Sequence, residues 1–100
     1  MTKDAALQAL GACRLRIDDL DRQILSLLNE RTRTVEEIGR IKQQARFPVY
    51  EPKREDQVFQ NIADNNAGPL STEAARRVFE RIIDEMRKVQ RERMENETCS

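Results

Sequence analysis

Apolar side chains recur in alternating steps of three and four residues along the first half of the chain, which is the spacing of one face of an α-helix. No proline interrupts residues 7–45. We therefore predict one long helix over about residues 7–46, which ends at Phe47-Pro48 because the residue before a proline avoids the helical region. The positions in this register are Leu10, Cys13, Ile17, Leu20, Ile24, Leu27, Ile38, Ile41 and Ala45.

Two shorter helices are predicted in the second half. Pro52 can occupy the first turn of a helix over about residues 52–65, because its missing N–H is not needed there. Ser71 is a predicted N-cap for a third helix over about residues 71–94, and the tail 95–100 is expected to fray. No segment alternates with the period of two that strands require. The sequence therefore predicts an all-α fold, with one long and two shorter helices in a single domain over residues 1–100.

Two cations lie where the long helix should carry apolar residues. Arg31 and Lys42 share the register of its apolar face, and at about 100° and 1.5 Å per residue they point within roughly 20° of each other, about 16 Å apart. Two long side chains in this arrangement could grip a small polar molecule. The alternative is that their stems are buried while their charged ends reach water or ion pairs at the helix flank.

The same anomaly recurs on the other two helices. Arg54 and Glu55 stand one turn before apolar residues of the second helix, and Gln90 stands one turn after Met86 on the third. Each alone is unremarkable, since a first-turn ion pair and a satisfied core amide are common. Together with Arg31 and Lys42 they give an inward-facing surplus of positive charge, which is costly unless a dianionic ligand binds.

Composition limits the other possibilities. With 100 residues, 38% hydrophobic residues and 4% aromatics, the core of one copy would be thin, so a long apolar seam predicts a partner. The 18 basic and 18 acidic side chains are interleaved, which argues against a nucleic-acid-binding or membrane-binding face. The chain has no histidine, and Cys13 and Cys99 are far apart, so we expect no metal. No signal peptide is recognisable, so we expect a cytoplasmic protein with reduced thiols.

Several motifs place these polar residues in a known order along the chain. The ordered set resembles the all-helical AroQ-class chorismate mutases over most of the chain. The turn at residues 65–70 also resembles members fused to, or working beside, the first enzyme of the shikimate pathway. The motifs are Arg14, Leu20-Asp21, Leu27-Leu28-Asn29-Glu30-Arg31, Ile38-Gly39-Arg40-Ile41-Lys42, Pro48-Val49, Lys53-Arg54-Glu55, Phe79-Glu80-Arg81-Ile82-Ile83 and Gln90.

The resemblance implies a reaction and a role for each polar residue. Chorismate mutases convert chorismate to prephenate by an intramolecular Claisen rearrangement that needs no nucleophile, metal or organic cofactor. The enzyme has to hold a dicarboxylate in a chair-like conformer and stabilise charge that grows on the ether oxygen. Carried over by position, Arg14, Arg31 and Arg54 would bind the carboxylates, Lys42 and Gln90 would donate to the ether oxygen, and Glu55 with the backbone near Glu51 would hold the ring hydroxyl.

The resemblance also implies an assembly and leaves two departures. Two chains would intertwine with their long helices antiparallel, giving a six-helix homodimer in which Arg14 reaches the neighbouring subunit's site. Met86 stands where some relatives have a small hydroxyl residue, and would line the pocket without donating a hydrogen bond. Glu51 stands where relatives often have aspartate.

Three other functions remain open at this stage. An isochorismate pyruvate lyase shares the architecture and the cationic framework but eliminates pyruvate. A non-catalytic helical module could bind or regulate an aromatic-pathway enzyme. A plain coiled-coil scaffold is the third, although it gives no purpose to Pro48, Pro52 and the inward-facing charges.

Overall fold

The computed structural model describes residues 1–99, with side chains described as far as Glu95. These residues form three α-helices and contain no strand: α1 spans Lys3–Ala45, α2 spans Pro52–Asn65 and α3 spans Thr72–Cys99. The predicted all-α fold is confirmed. Ser100 and the Cys99 side chain lie outside the described part, and none of the helices within it has both the length and the apolar character needed to cross a bilayer.

Hydrogen-bonding side chains fix where α1 and α3 begin. The Ala5 amide donates to Thr2 Oγ1 at 3.1 Å, so α1 begins at Lys3 rather than near the predicted residue 7. The predicted cap at Ser71 is confirmed, since its Oγ accepts the Ala74 amide at 3.1 Å. At the other end α3 continues past the predicted residue 94 to Cys99, because the sequence there contains neither proline nor glycine to stop it.

A residue in the left-handed backbone conformation ends α1 and turns the following chain back toward that helix. Arg46 has φ of 60°, and the Phe47 amide donates to the Lys42 carbonyl at 2.8 Å while the Arg46 amide donates to the Gln43 carbonyl at 3.3 Å. This is the Schellman arrangement, in which glycine is the usual left-handed residue because it has no Cβ. The turn starts the connector that leads to Pro52 at the first position of α2.

The chain divides into two compact units, residues 1–33 and residues 34–100. The first unit is the N-terminal part of α1, and its apolar side chains are largely exposed, including Leu10, Ile17, Leu20, Ile24 and Leu27. This is the seam that the sequence analysis expects a partner to cover.

The second unit holds the core, which is formed by the last turns of α1 together with α2 and α3. The buried residues of α1 are Val35, Gly39 and Lys42, so the prediction that Ile38 and Ile41 face inward is wrong for the single chain. The three buried residues are spaced by four and three, and their face is rotated from the predicted one, with Lys42 common to both. Among the residues of α3 up to Glu95, the buried ones are Ala75, Ile83, Met86 and Gln90.

Candidate active site

A buried lysine forms the centre of the polar cluster in the second unit. Lys42 is 6% exposed, and its Nζ lies 2.7 Å from Glu51 Oε1. It also donates to Gln90 Oε1 and to the Val49 carbonyl, each at 3.0 Å. The ammonium group therefore makes two hydrogen bonds, and the Glu51 carboxylate is its ion-pair partner. The last turn of α1, the connector and α3 therefore meet at one cation.

The hydrogen bond from Lys42 determines the orientation of the Gln90 amide. Gln90 is 8% exposed, and because an ammonium group can only donate, the amide oxygen is the atom that faces Lys42. The amide nitrogen, which is a donor, is thereby directed away from Lys42. α1 and α3 pack closely at this point, where a Cβ built on Gly39 would lie 3.7 Å from Gln90 Cα, which is an ordinary van der Waals contact.

A second charged cluster connects α2 and α3. Arg87 Nη2 lies 3.4 Å from Glu55 Oε1, and Arg87 Nε lies 3.3 Å from Glu55 Oε2. The same Nη2 donates to Asp84 Oδ1 at 2.7 Å, and the guanidinium carbon lies 5.6 Å from the centre of the Tyr50 ring. The Arg87 and Glu55 side chains are both mostly buried, at 28% and 21% exposed. A groove of about 280 Å³ borders this pair and is also lined by Phe59, Glu80 and Ile83.

The structure corrects two expectations about charge. Arg54 is exposed and donates to Gln57 Oε1 at 3.4 Å, so the prediction that it shares an inward face with Glu55 is wrong. Adjacent helical residues point about 100° apart, and Glu55 takes the position toward α3. The expected surplus of buried positive charge is also smaller than predicted in the second unit, because Glu51 neutralises Lys42.

The remaining predicted residues are found in three environments. Met86 is buried in α3 at 8% exposed. Glu51 precedes α2 and makes no side-chain cap bond to that helix; its half-exposed carboxylate instead binds Lys42. In the N-terminal unit Arg14 is exposed and Arg31 is half-buried. The structure thus brings Glu51 and Gln90 each into direct contact with Lys42 and joins Glu55 to Arg87.

Sequence reasoning missed Arg87 and the Val49 carbonyl. Arg87 lies four residues after Ile83 and three before Gln90, which places it at the edge of the buried face of α3. That spacing is the signal that could have identified it. The Val49 carbonyl could not be found in this way, since its position depends on the turn at Arg46. Within the described residues, no group of three or more cysteine, aspartate or glutamate side chains is arranged to hold a metal ion.

Comparison with known proteins identifies the family. The sequence-family model for chorismate mutase type II matches residues 13–91, so the chain belongs to that family. A solved chorismate mutase (form II) from Thermus thermophilus superposes with a TM-score of 0.81 at 35% identity, covering 83% of this chain and 94% of that one. The resemblance noted from the motifs is confirmed.

Curated relatives place the same domain in longer and shorter proteins. The bifunctional chorismate mutase/prephenate dehydratase of Pseudomonas aeruginosa is 42% identical over 79 residues, which is 74% of this chain but 22% of that protein. The chorismate mutase of Methanocaldococcus jannaschii is 32% identical over 56 residues, covering 56% of this chain and 57% of that protein. The chain therefore spans about a fifth of the length of the bifunctional relative.

Proposed function

We propose that this chain is a chorismate mutase, which rearranges chorismate to prephenate for phenylalanine and tyrosine biosynthesis. The observation that carries the proposal is the buried contact between Lys42 and Gln90 in a chain of this family. A cation and an oriented amide are adjacent there, and this is the pair of donors that the reaction requires.

The reaction breaks an ether C–O bond while a C–C bond forms within the same molecule, so negative charge grows on the ether oxygen. Donors aimed at that oxygen lower the barrier most when they are already oriented and shielded from water. Lys42 supplies a full positive charge and Gln90 supplies its amide N–H. Because Lys42 holds the amide oxygen, the nitrogen is available for the substrate without a prior rotation of the amide.

The other roles concern binding and are proposals of the same kind. Arg14, Arg31 and Arg54 bind the substrate's two carboxylates, for which planar guanidinium groups are suited. Glu55, with the backbone near Glu51, binds the ring hydroxyl, and its carboxylate accepts a hydrogen bond from that group. Met86 lines the pocket with apolar surface.

The proposal includes a homodimer in which Arg14 acts across the interface. It is supported by the exposed apolar residues of α1, since covering them would contribute about 25 cal/mol per Å² of apolar surface. The proposal also retains the expected cytoplasmic location. The bifunctional relative supports a link to an enzyme of the aromatic pathway. The second activity in its name is prephenate dehydratase, whereas the turn at residues 65–70 suggested the first enzyme of the shikimate pathway.

The test is a pair of incubations with the purified chain. One contains chorismate and the other isochorismate, and each is followed by ultraviolet absorbance and by chromatographic identification of the product. We expect chorismate to give prephenate well above the rate without enzyme. Release of pyruvate from isochorismate alone would indicate the lyase, and no reaction with either compound would indicate a binding or regulatory module.

A further inference from the structure

Arg87 of α3 crosses to α2 and meets both oxygens of one carboxylate. Its Nε lies 3.3 Å from Glu55 Oε2 and its Nη2 lies 3.4 Å from Glu55 Oε1. The partners are 32 residues apart in sequence, so the contact depends on the packing of two helices rather than on helical spacing. The Nη2 contact is a hydrogen bond, whereas the Nε contact is an ion pair only, since the buried Nε has no hydrogen-bond partner among the described residues. Together the two contacts place the guanidinium beside the carboxylate.

Two further contacts hold the guanidinium itself. Asp84, one turn earlier on α3, accepts from Nη2 at 2.7 Å, and the Tyr50 ring lies 5.6 Å from the guanidinium carbon. By contrast, the Arg81–Glu85 pair on the same helix is 72% and 47% exposed. An exposed pair of that kind contributes little and is screened by salt, whereas the Arg87–Glu55 pair is better shielded.

The Arg87–Glu55 pair lies one helical turn from the Lys42 cluster on both helices. Glu55 follows Glu51 by four residues, and the Glu55 amide donates to the Glu51 carbonyl at 3.1 Å. On α3, Arg87 precedes Gln90 by three residues, which makes them neighbours on the helix surface. Glu51 and Gln90 both contact Lys42, so Arg87 borders the proposed reaction site at a distance of one turn from the partners of that lysine.

We propose that Arg87 is a positioning residue for Glu55, holding its carboxylate in the orientation that accepts the substrate's ring hydroxyl. The inference rests on the proposed function. Glu55 is an anion that has to work beside a dianionic substrate, and Arg87 offsets that charge from the side of the carboxylate that it contacts. A hydroxyl contact made equally in the ground state and in the transition state affects KM rather than kcat.

The experiment measures kcat and KM for chorismate in a double-mutant cycle. The variants are Arg87→Met, Glu55→Gln and both together, with Arg87→Lys as the conservative variant. We expect Arg87→Met to raise KM by roughly fivefold to tenfold with kcat changed less than about twofold. In the Glu55→Gln background, the same substitution should change KM by less than about twofold, because the partner charge is gone. Arg87→Lys should restore part of the loss.

Two controls separate positioning from a structural effect. Arg81→Met removes an exposed cation from the same helix and should leave KM within about twofold of the parent. Thermal unfolding followed by circular dichroism shows whether each variant is folded, and if Arg87→Met is not, Arg87→Lys is used in the same cycle.

The outcomes distinguish the two claims. If the parent converts chorismate and the folded Arg87 variant has an unchanged KM, the positioning role is overturned while the proposed function stands. An equal rise in KM with and without the Glu55 carboxylate also overturns it. If the parent forms no prephenate, the proposed function fails and the role of Arg87 fails with it.

Discussion

Replacement of Lys42 by methionine tests the centre of the proposed site. Methionine has a similar length and no charge, so the substitution removes the ammonium group while leaving little empty volume. Lys42 is 6% exposed, so water has limited access to the groups that it leaves behind. The change therefore affects stability, through the acceptors that lose their donor, and catalysis, through the lost positive charge.

The stability effect follows from the three acceptors. Gln90 Oε1 is buried and loses its partner, and a buried acceptor without one costs about 1–3 kcal/mol. The Val49 carbonyl loses a partner as well. Glu51 is 49% exposed and is rehydrated at little cost. After allowance for the apolar side chain gained, we expect a net loss of about 1–3 kcal/mol in the free energy of unfolding.

The loss of transition-state stabilisation is expected to exceed the loss in the free energy of unfolding. Removal of one preorganised donor to a developing negative charge typically costs about 100-fold to 1,000-fold in kcat, which is about 2.7–4 kcal/mol. Lys42 also orients the second donor, Gln90, so we expect kcat to fall at least about 100-fold.

The assay follows chorismate consumption with identification of prephenate, beside denaturant unfolding at one fixed protein concentration. Lys88→Met is the matched control, because Lys88 is 57% exposed and pairs with Glu85 on the helix surface. It should stay within about 0.5 kcal/mol of the parent in stability and retain its turnover. A folded Lys42→Met variant with parental kcat would refute the role assigned to Lys42.

Three further predictions concern other parts of the chain. Gln90→Glu should move the kcat/KM optimum to lower pH in a profile from about pH 4 to pH 9, because a carboxyl can donate only when protonated and Lys42 favours its ionised form; an unshifted profile would separate residue 90 from the ether oxygen. Mixing Arg14→Ala with Arg31→Ala should restore part of the activity in heterodimers confirmed by mass spectrometry, and no recovery would place Arg14 outside a shared site. Arg46→Gly should stabilise the chain by about 0.5–1 kcal/mol in thermal unfolding, because it removes a non-glycine residue from the left-handed conformation. The control Arg40→Gly, within the helix, should destabilise it by about 1 kcal/mol, and equal effects of the two substitutions would contradict backbone strain at Arg46.

Local patterns were sufficient to predict the helices. The proline at position 52 and the hydroxyl at position 71 each act within one turn of the chain, so the starts of α2 and α3 could be read from neighbouring residues. Thr2 acts in the same way, but it precedes the first apolar repeats, from which the start of α1 is predicted. The end of α3 was missed because nothing in its sequence marks a stop.

The side-chain geometry was predictable only where one residue type admits one partner. The register of α1 predicts that Lys42 faces inward, and a lysine on a buried face needs acceptors. Helical spacing could not decide which of Arg54 and Glu55 faces α3, because both stand one turn before apolar residues. The outcome depends on Arg87, a residue of another helix, and on a long-range contact that no local pattern encodes.

The ammonium group of Lys42 already has three oxygen neighbours, two in hydrogen bonds and the Glu51 carboxylate in an ion pair. A fourth acceptor therefore cannot simply be added and has to replace one of them. Glu51 is the partner that water can best take over, since its side chain is 49% exposed while Gln90 is buried and the third acceptor belongs to the backbone. A ligand oxygen that binds this lysine therefore competes with the Glu51 carboxylate. This contact adds to the affinity only the difference between the interaction free energies of Lys42 with the two oxygens.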